Sequence, residues 1–139
     1  MLTKSEKKRA KQSAEDWWLE SNLGFDERAE FREIRKKLDE LTDHQERAKR
    51  RFDYIFAQFI QCRDGGKVVL NRLPDATGFH RYTIQKDIYG FFVPFKLITT
   101  HGDSERLNWG DQGVFPTAKF FWLVDILQKI DPEKYSFKI

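Results

Sequence analysis

The chain has 139 residues, 40% hydrophobic and 34% charged, with 25 Lys and Arg against 22 Asp and Glu for a formal net charge of +3. That balance buries a core and excludes a disordered chain, and so small an excess of positive charge excludes a uniformly basic nucleic-acid-binding domain. No apolar run approaches the ~20 residues that span a bilayer, and the single cysteine excludes an intrachain disulfide, so a protein of the reducing cytoplasm, away from membranes, is expected.

Residues 1–12 read as a basic flexible arm, disordered or conditionally helical, in which Lys4, Lys7, Lys8, Arg9 and Lys11 face only Glu6. No apolar stretch follows, as a secretory signal would require. Ser13 is placed to cap a short helix through about Asn22, with Glu15 and Asp16 where the helix dipole favours negative charge. Trp17 and Trp18 point to different sides of that helix. At least one should be buried, and the pair is a candidate partner anchor. Asn22-Leu23-Gly24-Phe25 should break the helix, with Asp26 capping the next.

From Phe31 the chain repeats in steps of three and four: Phe31, Ile34, Leu38, Leu41, Gln45, Ala48, Phe52, Ile55, Phe59, Cys62. This is the seam of a coiled-coil helix. The favoured reading is one helix over about 26–63, on the order of 55 Å long at ~1.5 Å per residue. Such a rod exceeds a domain this small, so it should project and pair. A homodimer is expected, with Trp17, Trp18, Ile34, Leu38 and Leu41 as partner-binding residues. Thr42-Asp43-His44-Gln45 has the spacing of a capping box. If it acts as one, the helix breaks near 42 and folds back as an antiparallel hairpin. Around Phe52, Tyr54, Ile55, Phe56, Phe59 and Ile60 the apolar stripe widens, so this end should dock on the next domain. Cys62 on the seam reads as a core thiol.

Asp64-Gly65-Gly66 ends the helical region, 13–63, and opens a small α+β domain, 64–139. Strands are expected over 67–73 and 79–86, joined as a hairpin by the turn Pro74–Gly78, and again over 91–100 and 106–109. Pro116 should open a helix to about Ile130, apolar on nearly all sides and therefore central to the core. An edge strand is expected over 135–139. The fold class is thus α+β: a long coiled-coil-like helix, then a small antiparallel sheet on one aromatic helix.

For chemistry, the richest loop is His101, Asp103, Ser104 and Glu105, whose composition is also that of an ordinary turn. There is no nucleophile elbow, phosphate-binding glycine loop or zinc-ligand spacing. No enzyme, metal or cofactor is expected. A binding surface is better supported. The expected hairpin carries Lys67, Arg72, Arg81 and Lys86 beside Phe79, His80 and Tyr82: cations for phosphates and rings for bases. With Lys7, Lys8 and Arg9, and with Arg47, Lys49, Arg50 and Arg51 around one helical turn, these are the candidate nucleic-acid contacts. The bland alternatives are a solvated helix face and a hairpin whose rings face the core.

The final third, strands and then Gly113-Val-Phe-Pro-Thr-Ala-Lys-Phe-Phe-Trp-Leu-Val-Asp-Ile-Leu127, resembles the strands-then-one-helix order of small single-strand-binding transcriptional cofactors. The likeness covers under half the chain and has no specific motif. In size and layout the whole is similar to small phage and mobile-element proteins that inhibit a host nucleoprotein machine, CRISPR-nuclease inhibitors among them. Two functions follow as expectations. One is a non-enzymatic protein that binds DNA or RNA. The other is a protein-binding inhibitor or adaptor of a nucleoprotein complex.

Overall fold

The computed structural model describes residues 1–100 and 113–137. Among the described residues, six α-helices and a three-stranded antiparallel sheet share one core: α1 (Lys4–Asn22), α2 (Phe25–Thr42), α3 (Glu46–Ile60), β1 (Val68–Val69), α4 (Leu73–Thr77), α5 (Arg81–Asp87), β2 (Ile98–Thr100), β3 (Gly113–Pro116) and α6 (Ala118–Ile130). The sheet order is β1-β3-β2, with Val68 opposite Val114 and Thr99 opposite Phe115. The mixed class with a small antiparallel sheet is as expected. The long helix is not.

The helical region is three helices. α1 starts at Lys4 rather than Ser13, because Thr3 caps it: its Oγ1 accepts from the Glu6 amide at 3.1 Å. The basic residues of 1–12 therefore occupy the first turns of α1. The break at Leu23–Gly24 falls where expected. The cap there is Gly24, whose amide donates to Glu27 Oε1 at 3.2 Å, and not Asp26.

The expected continuous helix stops at Thr42 and restarts at Glu46. The short connection brings α2 and α3 together as a helical hairpin. His44 takes φ 59°, a left-handed value that an α-helix cannot absorb. The capping box itself does not form. The Thr42 hydroxyl instead donates to the Leu38 carbonyl at 2.8 Å, and Gln45 sits at the N-cap without a side-chain bond. The sevenfold seam survives the break because each half has its own cover. Phe31, Ile34, Leu38, Phe52, Ile55 and Phe59 are buried, and Gln45 alone of the seam is exposed, at the turn. The covering groups belong to the same chain: Trp122 meets Phe31 edge-on at 6.2 Å, and Phe120 meets Phe59 at 5.8 Å. Covered from within, the seam neither projects as a rod nor requires a second chain.

The expected hairpin over 67–86 is also overturned. Only Val68–Val69 is strand. Leu70–Arg72 is a 3₁₀ turn, Pro74 lies in the first turn of α4, and Gly78 closes that helix at φ 77°. Residues 81–87 form α5. Ile84, Ile88 and Phe91, spaced by four and three, bury one helical face. A wider i→i+5 turn over Ile88–Phe92 continues it, and of the expected strand 91–100 only Ile98–Thr100 remains. The expected strand 106–109 and the loop at His101–Glu105 lie outside the described residues. Tyr135 and Phe137 are buried without forming an edge strand.

Helix α6 is the central element, as its composition demands. Pro116 ends β3 rather than opening the helix, and Thr117 caps it by accepting from the Phe120 amide at 3.3 Å. Phe120, Leu123, Val124, Ile126 and Leu127 are buried, while Phe121, Trp122 and Ile130 pack partly buried against the core.

Candidate interaction surface

Two parts of the surface concentrate polar chemistry. The first is the cleft between α1 and α2, about 580 Å³, lined by Asp16, Arg32, Arg35, Lys36, Asp39 and Asp43 among others. Many of its charges pair with one another or with groups beside them. Glu15, buried on α1, accepts from Arg35 Nη1 at 2.8 Å, and Arg35 Nε reaches the Tyr135 hydroxyl at 3.3 Å. That hydroxyl donates to Asp39 Oδ1 at 2.8 Å, and Lys134 bridges Asp39 and Asp43 at 3.1 and 2.9 Å. Lys11 holds buried Asp131 at 2.8 Å. Burial works against the Arg35 charge, but Glu15 and Tyr135 outweigh it and push its pKa up. The cleft is therefore a set of clamps tying α1 and the C-terminal segment to α2.

Burial, reinforced by the Asp39 carboxylate and only partly offset by Arg35 and Lys134, pushes the Tyr135 phenol up from 10.0 to about 12. A group whose folded pKa is raised stabilises the fold fully below its unfolded pKa and loses that contribution as pH climbs through the folded one. Stability should fall between pH 10 and about 12, and Tyr135→Phe should flatten that part of the slope in a pH series of thermal melts. An identical slope in both proteins would contradict the assignment.

The second part lies along α3 and α5. Arg47, Arg50, Arg51 and Tyr54, at i, i+3, i+4 and i+7, fall on one stripe of α3. Two of them meet the segment around α5. Arg51 pairs with Asp87 through Nε and, at 3.1 Å, through Nη2, and the Tyr54 ring lies 6.0 Å from Phe79. The stripe therefore runs beside α5, and its other members, Arg47 and Arg50, are exposed. The exposed side chains here include Tyr82 and Lys86 on α5 and then Tyr89 in the wide turn that continues it. His80 caps α5, its Nδ1 accepting from the Tyr82 amide at 3.2 Å, and its ring stacks on Tyr82 at 5.3 Å with an interplanar angle of 30°.

The sequence-derived candidates are thus redistributed. Arg47 and Arg50 on α3 and Arg81 and Lys86 on α5 belong to this face. Arg51 does not serve as a contact, because only 14% of its side chain is exposed and it is committed to Asp87. Lys49 pairs with Asp53, both about a quarter exposed. Burial pushes both carboxyls up from the ordinary range, more than Lys49 and Arg51 pull them down. Lys67 and Arg72 are exposed on another pocket, beside Cys62, Val68 and Leu73. Lys7, Lys8 and Arg9 are exposed on α1.

Of the expected partner anchors, Ile34 and Leu38 are buried, and Leu41 and Trp18 pack partly buried on the core. Trp17 is 68% exposed, and Phe25, which sequence reasoning did not single out, is 77% exposed at the start of α2. Its position just after a helix break was the available signal. Among the described residues there is no cluster of His, Cys, Asp and Glu able to hold a metal, and no helix is long and apolar enough to cross a membrane. No protein-family model, curated protein or solved structure matches this chain, so any reading of its function rests on its own residues.

Proposed function

We propose that this is a non-enzymatic protein that associates with nucleic acid through the α3–α5 face. One observation carries the reading. α3 and α5 contribute six cations, Arg47, Lys49, Arg50, Arg51, Arg81 and Lys86, against three acids, Glu46, Asp53 and Asp87. Two of the acids are bound by Lys49 and Arg51, and Arg47, Arg50 and Lys86 are exposed. Exposed rings lie among these cations. Phosphate-directed cations beside exposed rings suit a polyanion with bases.

Binding to DNA or RNA should weaken with salt, because neutralising phosphates releases counterions. In a salt titration followed by fluorescence anisotropy, Arg47→Ala, Arg50→Ala and Lys86→Ala together should lower the slope of log K against log salt by about 2, the loss of three contacts at roughly 0.7–0.9 each. An unchanged slope would remove the reading. Arg51 is excluded from the variant because its loss would test stability instead.

A second reading is a protein-binding inhibitor or adaptor of a nucleoprotein complex, for which the exposed Trp17 and Phe25 speak. Nuclease separates the two in a single purification from the native host. A partner retained after digestion and lost in the Trp17→Ala, Phe25→Ala variant favours the second reading.

A further inference from the structure

We infer that the face formed by His80, Tyr82, Lys86 and Tyr89 takes single-stranded nucleic acid, with bases stacking on its rings. The inference rests on the proposed nucleic-acid reading and narrows its ligand. Tyr82 is 72% exposed and Tyr89 is 41% exposed, whereas eight aromatic side chains among the described residues are almost completely buried. They sit seven residues apart with Lys86 between them, Tyr82 on α5 and Tyr89 in the wide turn that continues it. His80 already stacks against Tyr82 at 5.3 Å, so the platform is set before any ligand arrives. The ring orientation is fixed from the backbone, since His80 Nδ1 is engaged by the Tyr82 amide at 3.2 Å.

Underneath, the helix carrying these rings is pinned. Ile84 and Ile88 are fully buried, and Asp87 is held by Arg51 of α3. The exposed cations Arg47 and Arg50 on α3 and Lys86 on α5 give the surface the charge complementary to phosphate. A duplex offers phosphates to those cations but keeps its base faces stacked inside. A single strand offers both. The rings therefore distinguish the two forms where the cations do not.

The test compares a thymidine 12-mer, a uridine 12-mer and a blunt 12-base-pair duplex by fluorescence anisotropy on the full chain, with Tyr82→Ala and Tyr82→Phe. The expected result is tighter binding of a single strand than of the duplex. Tyr82→Ala should weaken the single-strand affinity on the order of tenfold and leave the duplex affinity unchanged. Tyr82→Phe should retain it, because stacking needs the ring and not the hydroxyl. The two single strands separate DNA from RNA as the source of the bases. Salt-sensitive binding that prefers the duplex, or that loses nothing in Tyr82→Ala, overturns this inference and leaves the proposed function standing. Absence of salt-sensitive binding to all three probes overturns both.

Discussion

Phe56→Ala should lower the unfolding free energy by about 3–5 kcal/mol, the usual cost of truncating a buried ring. Phe56 on α3 is completely buried. Its ring stacks on Phe137 at 4.4 Å and 5°, and lies 5.3 Å from Phe92 and 5.5 Å from Phe120. Those three rings come from the C-terminal segment, the wide turn after α5, and α6. A hole at their meeting point cannot close by movement of one segment without opening a gap beside another. Small domains typically hold only about 5–15 kcal/mol in total, so the variant should be marginal. Urea unfolding should show a lower midpoint with a similar slope. A loss below about 1 kcal/mol would mean that the ring does not occupy this junction.

The second large effect concerns Arg51 and Asp87. Arg51→Met should destabilise the fold by about 3–5 kcal/mol, because it leaves a carboxylate in a side chain only 7% exposed without its partner. Replacing both groups, Arg51→Met with Asp87→Leu, should restore most of the loss. Burial already pushes the Asp87 carboxyl up despite the ion pair, so little net stability is forfeited when pair and charge go together. A double-mutant cycle by chemical denaturation measures the coupling. Equal damage in the single and double variants would show that the pair fixes α5 on α3 in a way that apolar packing cannot replace. The same cycle bears on function, since it separates Arg51 as a strut from Arg47 and Arg50 as surface cations.

Much of the helical pattern was legible in the sequence. The steps of three and four from Phe31 to Cys62 identify the buried positions on both α2 and α3, and the apolar run from Phe120 to Ile130 identifies the core helix. What the pattern does not encode is where the cover comes from. A seam of fixed phase reads the same whether a second chain or α6 lies over it, and the phase carries through the break at 43–45. The failure at 67–86 has a different cause. Val68, Val69, Thr83 and Ile84 are β-branched and favour strands in isolation. The spacing Ile84–Ile88–Phe91 and the cap at His80 favour a helix, and burial of those three side chains in the core decides the matter. The candidate surface was legible as composition and not as geometry. The residues at 80–86 remain a basic and aromatic cluster on α5, but Arg51 and Lys49 are drawn into ion pairs that no sequence spacing announces.

The surfaces open to a ligand depend on the seam being covered from within, by a hairpin and not by a partner. Spin labels at Ala29 and Gln61, both exposed, in a Cys62→Ala background measure this directly by pulsed electron resonance. Two helices packed as a hairpin should hold the labels less than about 30 Å apart. A single continuous helix would separate them by roughly 48 Å, at ~1.5 Å per residue, and a distance near that value would contradict the account.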